Sequence, residues 1–144
     1  AAQGEISNAI TGELMITWAK ERGLAGLIID GAVRDAAVIR NMDFPVYAAG
    51  ITPNGPYKEG PGEINVPVSL HGVVVRPGDI IVGDGDGVVV IEPQEAPQIL
   101  EKAKAVMDKE TGIMKAIAAN AWDMSWVDKM MKDKGCTIIE GEYK

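Results

Sequence analysis

The chain has 144 residues, 47% of them apolar, which is enough for one compact domain with a hydrophobic core. Its formal net charge is −7 and its 14 basic residues are scattered, which argues against a nucleic-acid-binding surface, because such surfaces need clustered Lys and Arg. A single cysteine, Cys136, excludes an internal disulfide. With no long apolar run and no signal-peptide pattern, we expect a soluble, cytoplasmic protein without a membrane segment.

A helix is the first predicted element. Across residues 8–22 the apolar side chains recur at roughly helical spacing, Thr11 is a suitable N-cap, and Gly23 can end the helix. The chain begins without a methionine, and its sequence predicts no strand ahead of this helix. We therefore expect a domain that lacks its N-terminal segment.

A β-α-β unit is predicted next. Residues 24–29 form a nearly unbroken apolar run, which is typical of a strand buried on both faces. A short helix over residues 33–42 and a second buried strand over residues 44–49 follow it. Arg34 and Asp35 then lie just past the carboxyl end of the first of these strands.

A long loop and four short strands occupy the middle of the chain. Residues 51–65 are crowded with Pro and Gly, which predicts an ordered loop of a length that often serves a site. The β-branched runs that follow predict a compact antiparallel meander. Its strands are expected at residues 66–70, 73–75, 80–82 and 88–91.

The last third of the chain changes to a helical period. A helix is predicted over residues 96–119, and Trp122, Trp126 and Met130 then recur at steps of four. This row of apolar side chains is more typical of a helix face that packs against the core or a partner subunit than of a ligand-binding site. We expect one domain over residues 1–119 and a helical tail over residues 120–144.

Two clusters carry chemistry that suits a small acid. At the start of the first predicted helix, the early backbone N–H groups lack intrahelical partners and can bind a carboxylate. Arg34 offers a guanidinium fork, and the adjacent Asp35 suits a hard divalent ion. Taken alone, such an Arg-Asp pair is more often a surface salt bridge or a helix cap.

The same residues carry a family resemblance. Gly12-Glu13-Leu14, the twenty residues between Glu13 and Arg34, and the Arg34-Asp35 pair resemble the acid-X20-Arg-Asp motif of the 4-hydroxy-4-methyl-2-oxoglutarate aldolase and RraA-like family. Further likeness lies in the segments Asn-Val-Pro-Val at residues 65–68 and Arg-Pro-Gly-Asp at residues 76–79, so that the resemblance covers residues 1–115. It implies an α/β fold of layered β/β/α, swivelling-domain type, assembled as a homotrimer or a pair of trimers.

The resemblance also implies roles for individual residues. Arg34 would hold the 2-oxo acid, and Asp35 would bind Mg²⁺ or Mn²⁺ directly. Glu13 would reach the ion through water, as would Glu110 from a neighbouring subunit. The turn that offers backbone N–H groups to the substrate carboxylate would consist of Gly12, Glu13, Leu14 and Met15.

The activity implied is that of a metal-dependent class II pyruvate aldolase, with oxaloacetate decarboxylation through the same enolate. Relatives of a different class are non-catalytic regulators that bind an endoribonuclease. Those usually lack the aspartate after the arginine, so the presence of Asp35 favours the enzyme. Many aldolase members have an acid three residues later, where this chain has Val38, which leaves the choice of 2-oxo acid open.

Two other signals have simpler explanations. The Asp-Gly-Asp-Gly string at residues 84–87 is like a calcium loop, but valines follow it where further oxygen ligands are needed, so a hairpin turn is the better interpretation. His71, the single histidine, lies between two predicted strands, where a plain polar turn residue is more common than a catalytic one.

Overall fold

The computed structural model describes residues 1–139 and 141. Two compact units form, one spanning Ala1–Ala96 and the other beginning at Pro97. The first unit contains all the strands in the described part of the chain and the first two helices. The predicted division after residue 119 stays a prediction.

A three-stranded parallel sheet is the centre of the first unit. Its strands are β1 (Glu5–Thr11), β2 (Leu27–Val33) and β3 (Val46–Ile51), with β2 in the middle. Helix α1 (Glu13–Glu21) connects β1 to β2, and the short helix α2 (Ala36–Ile39) connects β2 to β3. The predicted β-α-β unit is therefore confirmed, although β2 runs four residues beyond its predicted end.

The expectation that no strand precedes the first helix is wrong. β1 pairs with β2 in parallel, with Thr11 opposite Val33. In the sequence, the apolar residues of β1 merge with those of α1, so one helical period seemed to cover both elements. The N-cap of α1 is accordingly Gly12, and Thr11 is the last residue of the strand.

The core of the first unit lies where α1 and α2 pack on the sheet. Ile16 of α1 is completely buried there, together with Val33 of β2 and Ile39 of α2. Phe44, which precedes β3, joins the same cluster. These contacts hold α1 against the carboxyl end of β2.

The single antiparallel meander predicted for the middle of the chain is corrected to two separate hairpins. Strands β4 (Val68–Leu70) and β5 (Val73–Val75) form one pair, and β6 (Ile80–Gly83) and β7 (Val88–Ile91) form the other. The link between them is a tight turn, in which the Asp79 carboxylate accepts a hydrogen bond of 2.7 Å from the Arg76 amide. β5 and β6, on either side of this turn, do not pair with each other.

The turn between β6 and β7 agrees with the hairpin interpretation. The Asp84 carboxylate accepts hydrogen bonds from the amides of Asp86 and Gly87, at 2.9 and 3.3 Å. The carboxylate therefore stabilises the turn. The loop between β3 and β4 lacks regular structure, as predicted.

The second unit is helical over its described residues. Helix α3 (Ala96–Ala118) leads into it, and α4 (Ser125–Asp133) follows. Trp122, Trp126 and Met130 are all exposed, so burial against the core of this chain is not observed, and contact with a partner subunit stays a prediction. Within the part of the chain that the structure describes, no helix is long and apolar enough to cross a membrane.

Candidate functional site

Two turns meet at the carboxyl edge of the sheet. Gly12 follows β1 and Arg34 follows β2, and the two strands are parallel neighbours. The Arg34 amide donates a hydrogen bond of 3.0 Å to the Thr11 carbonyl oxygen. The structure thus brings together the Gly12-Glu13 and Arg34-Asp35 segments, which are more than twenty residues apart in the sequence.

The Asp35 carboxylate joins the two turns. Its Oδ2 atom accepts a hydrogen bond of 3.1 Å from the Glu13 amide and lies 3.5 Å from Nε of Arg34. Asp35 has a left-handed backbone conformation, with φ of 59°, which Asp tolerates better than most residues. Its side chain makes no cap hydrogen bond to its own helix α2 and reaches across to α1 instead.

Position 12 requires a glycine, because the space that a side chain would need is occupied by Asp35 and Arg34. A Cβ atom at this position would lie 2.5 Å from Oδ2 of Asp35 and 2.7 Å from Cγ of Arg34. Both distances are shorter than a van der Waals contact, so any side chain would push the pair away. The glycine of the motif therefore allows the Arg-Asp pair to lie directly on the turn.

The first turn of α1 offers unpaired backbone donors. Ile16 donates the first hydrogen bond of the helix, to the Gly12 carbonyl oxygen at 3.1 Å. The amides of Leu14 and Met15 precede it and have no intrahelical acceptor. Together with the positive end of the helix dipole, they provide a place for an anion beside Arg34.

The loop after β3 also reaches the site, in line with the predicted loop of a length that often serves one, although the sequence did not indicate which of its residues make the contact. Asn8 of β1 donates a side-chain hydrogen bond of 2.7 Å to the Gly55 carbonyl oxygen, and the Ala9 amide donates one of 3.0 Å to that of Asn54. A Cβ at Gly55 would lie 3.5 Å from Nη1 of Arg34, so this loop passes beside the guanidinium. In the sequence, Asn8 could have indicated this contact, because it is a polar residue inside a strand.

The site is open to solvent. The side chains of Arg34 and Asp35 are 44% and 41% exposed, and Glu13 is half-buried. Glu110 lies on α3 and is exposed, and its role from a neighbouring subunit stays a prediction.

The donor set offers one carboxylate, that of Asp35, to a divalent ion and does not form a closed set of protein ligands among the described residues. Among the described residues, no group of three or more His, Cys, Asp or Glu side chains gathers to hold a metal. The contacts of Asp35 within this part of the chain use Oδ2, which leaves Oδ1 available to a cation. One carboxylate supplemented by water and substrate oxygens is an arrangement typical of Mg²⁺.

Comparison with known proteins identifies the family. The family model for RraA-like proteins, described as Aldolase/RraA, matches residues 1–90. The chain belongs to the RraA-like family. The predicted resemblance and the α/β fold class of this family are therefore confirmed.

Among curated relatives, this RraA-like chain is 39% identical over 131 residues to a protein of Halalkalibacterium halodurans named "Putative 4-hydroxy-4-methyl-2-oxoglutarate aldolase". The alignment covers 90% of this chain and 62% of that relative. The chain thus spans about three fifths of the length of the relative that it matches.

Solved structures of the family have the same fold. An uncharacterized protein from Pseudomonas syringae has a TM-score of 0.75 and 30% identity, over 81% of this chain and 59% of its own. Streptomyces coelicolor RraAS2, described as an unusual member of the RNase ES inhibitor RraA family, has a TM-score of 0.69 and 30% identity, over 80% and 59%. The RraA-like family thus includes proteins named as enzymes and proteins named as inhibitors.

Proposed function

We propose that this RraA-like chain is part of a divalent-metal-dependent carbon–carbon lyase that cleaves small 2-oxo acids to pyruvate. The observation that carries the proposal is the contact of Gly12 with Arg34 and Asp35, which places a guanidinium, a carboxylate and the first turn of α1 at one point. The similarity to a relative named as an aldolase supports the same reaction class.

Arg34 and the first turn of α1 would bind the substrate. The guanidinium can donate two parallel hydrogen bonds to a carboxylate, or one to the carboxylate and one to the 2-oxo oxygen. The amides of Leu14 and Met15 can donate to the same carboxylate. These contacts would orient the 2-oxo group toward Asp35.

Asp35 would hold Mg²⁺ or Mn²⁺ directly, with Glu13 and a neighbouring subunit's copy of Glu110 reaching the ion through water. When bound, such an ion acts as a Lewis acid on the 2-oxo group and stabilises the negative charge that develops there. The Glu13 amide and Arg34 hold the Oδ2 side of Asp35, which orients Oδ1 for this role.

The bond cleavage is a retro-aldol reaction. In 4-hydroxy-4-methyl-2-oxoglutarate, a base takes the proton of the C4 hydroxyl, a carbonyl forms at C4, and the C3–C4 electron pair moves onto C3. The products are one pyruvate and the enolate of a second, which is then protonated at C3. We assign the base to a water held beside Glu13, and the charge on the 2-oxo oxygen to the guanidinium of Arg34.

Decarboxylation of oxaloacetate would use the same residues. Loss of CO₂ leaves the same pyruvate enolate, so the same positive groups stabilise it. Val38, three residues after Asp35, is a partly exposed apolar side chain and offers no charge to a distal substrate carboxylate. We expect the chain to discriminate weakly between 2-oxo acids that differ at that end.

Assembly into a homotrimer or a pair of trimers is part of the proposal. Leu14 and Trp18 lie one turn apart on α1 and are 81% and 61% exposed. Large apolar side chains beside a site are typical of a surface that a partner subunit covers. Such a subunit would also be the source of Glu110.

The experiment that tests the proposal measures pyruvate release from 4-hydroxy-4-methyl-2-oxoglutarate and from oxaloacetate, with Mg²⁺ and with EDTA. We expect turnover that requires the metal and that falls more than about 100-fold in Asp35→Ala. Asp43→Asn, which changes an exposed carboxylate outside the site, is the matched control and should retain turnover. A folded oligomer that releases no pyruvate from either substrate would contradict the proposal.

The alternative function is that of a protein regulator which binds an endoribonuclease, and the likeness to Streptomyces coelicolor RraAS2 favours it. The two functions differ in their dependence on Asp35. Inhibition of an endoribonuclease that persists in EDTA and in Asp35→Ala, without pyruvate release, would support the regulator.

A further inference from the structure

Asn54 and Gly55, in the loop after β3, form the single Asn-Gly step of the sequence. Each of the other four asparagines is followed by a residue that carries a side chain: Ala9, Met42, Val66 and Ala121. In an Asn-Gly step the glycine nitrogen can attack the amide carbon of the asparagine, because no Cβ shields it and the glycine backbone turns freely. The chain therefore contains one step that is well suited to react with itself.

The structure leaves the reacting groups of this step accessible. Both residues are exposed. Within the part of the chain that the structure describes, the Gly55 amide donates no hydrogen bond. A Cβ built on Gly55 would meet one neighbour, Nη1 of Arg34 at 3.5 Å, so the space around the glycine is otherwise open.

Hydrogen bonds to β1 restrain the step without using the reacting nitrogen. The Asn54 carbonyl oxygen accepts from the Ala9 amide at 3.0 Å, and the Gly55 carbonyl oxygen accepts from the Asn8 side chain at 2.7 Å. Nδ2 of Asn54 donates to the Ser7 carbonyl oxygen at 2.9 Å, which opposes a turn of the side chain toward Gly55. Because a single exposed hydrogen bond contributes little net free energy, it slows this turn without preventing it.

From these features we propose that Asn54 is a site of spontaneous deamidation. The Gly55 nitrogen forms a bond to Cγ of Asn54 as its amide proton passes to solvent, and the side-chain nitrogen leaves as ammonia. Water then opens the five-membered succinimide ring at either of its carbonyl carbons. The products are aspartate and isoaspartate at position 54, so that in net an amide and water give an acid and ammonia.

The product changes the contact between this loop and β1. A carboxylate has no hydrogen to donate, so it faces the Ser7 carbonyl oxygen as a second acceptor. In isoaspartate the backbone gains a carbon atom, which displaces the carbonyl oxygen bonded to Ala9. The loop is then released where it passes Arg34, and a negative charge beside the guanidinium competes with a substrate carboxylate. This effect on substrate binding rests on the proposed function, whereas the modification itself does not.

The test follows the folded full chain by peptide mass spectrometry during incubation at neutral and at mildly alkaline pH. We expect the peptide that contains Asn54 to convert from amide to acid, and to do so faster at alkaline pH because hydroxide removes the Gly55 proton. Asn120, which is exposed and followed by alanine, is the internal control and should stay an amide. Gly55→Ala should slow the conversion by about tenfold or more, since a Cβ shields the nitrogen.

The same incubation of the chain unfolded in urea separates the effect of the fold from that of the sequence. Conversion of Asn54 in urea but not in the folded chain would overturn the proposal, because the hydrogen bonds to β1 would then protect the side chain. Equal conversion of Asn54 and Asn120 in the folded chain would overturn it as well.

Pyruvate release from the same samples measures the consequence for the site. Relative to the fresh activity of each protein, it should fall in the incubated wild type and fall less in Gly55→Ala. Conversion of Asn54 without loss of pyruvate release would overturn the inferred effect on Arg34. A fresh chain that releases no pyruvate would count against the proposed function alone, since mass spectrometry reads the modification independently.

Discussion

At the scale of single residues, the candidate site depends on one glycine and one carboxylate. The φ of Gly12 is −152°, an extended conformation open to any residue, so space and not backbone freedom excludes a side chain. Asp35 fills that space, where it bonds the first amide of α1 and approaches Arg34. The chemistry of the motif therefore depends on a contact between two turns.

Gly12→Ala is expected to disrupt this contact. The added methyl group would lie 2.5 Å from Oδ2 of Asp35 and would displace the carboxylate, so pyruvate release should fall by about tenfold or more. Steric displacement should also lower the free energy of unfolding, by about 1–3 kcal/mol. Steady-state kinetics and urea denaturation measure the two effects.

Gly62→Ala is the matched control, because a Cβ at Gly62 would meet nothing within 4 Å. It should change neither pyruvate release nor stability by a measurable amount. Full activity in Gly12→Ala would show that the pair tolerates displacement and that the proposed site is wrong.

At the scale of the elements, β1 positions both sides of the site. Its carboxyl end leads into Gly12, and its middle holds the loop that passes beside Arg34 through Asn8 and Ala9. An edge strand of the sheet thus aligns a helix and a loop around one guanidinium.

Asn8→Ala should loosen the loop. It removes the 2.7 Å hydrogen bond to the Gly55 carbonyl oxygen, a contact whose net contribution is about 1 kcal/mol. We expect KM for a 2-oxo acid to rise about threefold or more, with a smaller change in kcat. Asn41→Ala removes a similar bond, of 2.8 Å to the Ala37 carbonyl oxygen, and serves as the control that should leave KM unchanged.

Ile16→Ala should loosen α1 from the sheet. Ile16 is completely buried in the core cluster, and its truncation should lower the free energy of unfolding by about 2–5 kcal/mol. Ile64, which is 93% exposed, provides the control substitution Ile64→Ala, expected to change stability by less than about 0.5 kcal/mol. Equal effects of the two substitutions in urea denaturation would contradict this packing.

At the scale of the whole molecule, the main feature beside the site is a group of apolar side chains on α1 that packing within the first unit does not bury. Leu14, Met15 and Trp18 of α1 are all exposed, and the Arg22 guanidinium lies 5.1 Å from the ring centroid of Trp18. A subunit contact would bury this surface, at about 25 cal/mol per Å² of apolar area. The contact proposed for the oligomer is therefore centred on α1.

Trp18→Glu should shift the protein toward the monomer, because a charged side chain would have to lose its water in the contact. Sedimentation velocity at micromolar concentration would measure the change, and pyruvate release should fall with it. Ile64→Glu, which places the same charge in the exposed loop, should leave the oligomer intact. A wild-type chain that sediments as a monomer would contradict the proposed assembly.

Much of the local structure could be predicted from the chain alone. Unbroken apolar runs identified β2 and β3, the Gly- and Pro-rich segment identified the loop, and β-branched runs identified the four hairpin strands, because these signals depend on neighbouring residues. β1 was missed because its apolar residues continue into α1 without a break. The separation into two hairpins was also missed, since β-branched runs indicate strands but do not specify which strands pair.

The sequence by itself determined the family, through the spacing of Gly12, Glu13, Arg34 and Asp35, and with it the fold class. Only the tertiary structure decided that Asp35 bonds to the first turn of α1, that a loop held by Asn8 passes beside Arg34, and that Asp30 is buried beside His71. The reason is physical. Motif spacing follows from local chain order, whereas contacts between residues distant in sequence arise only when parallel strands bring their ends to one edge of the sheet.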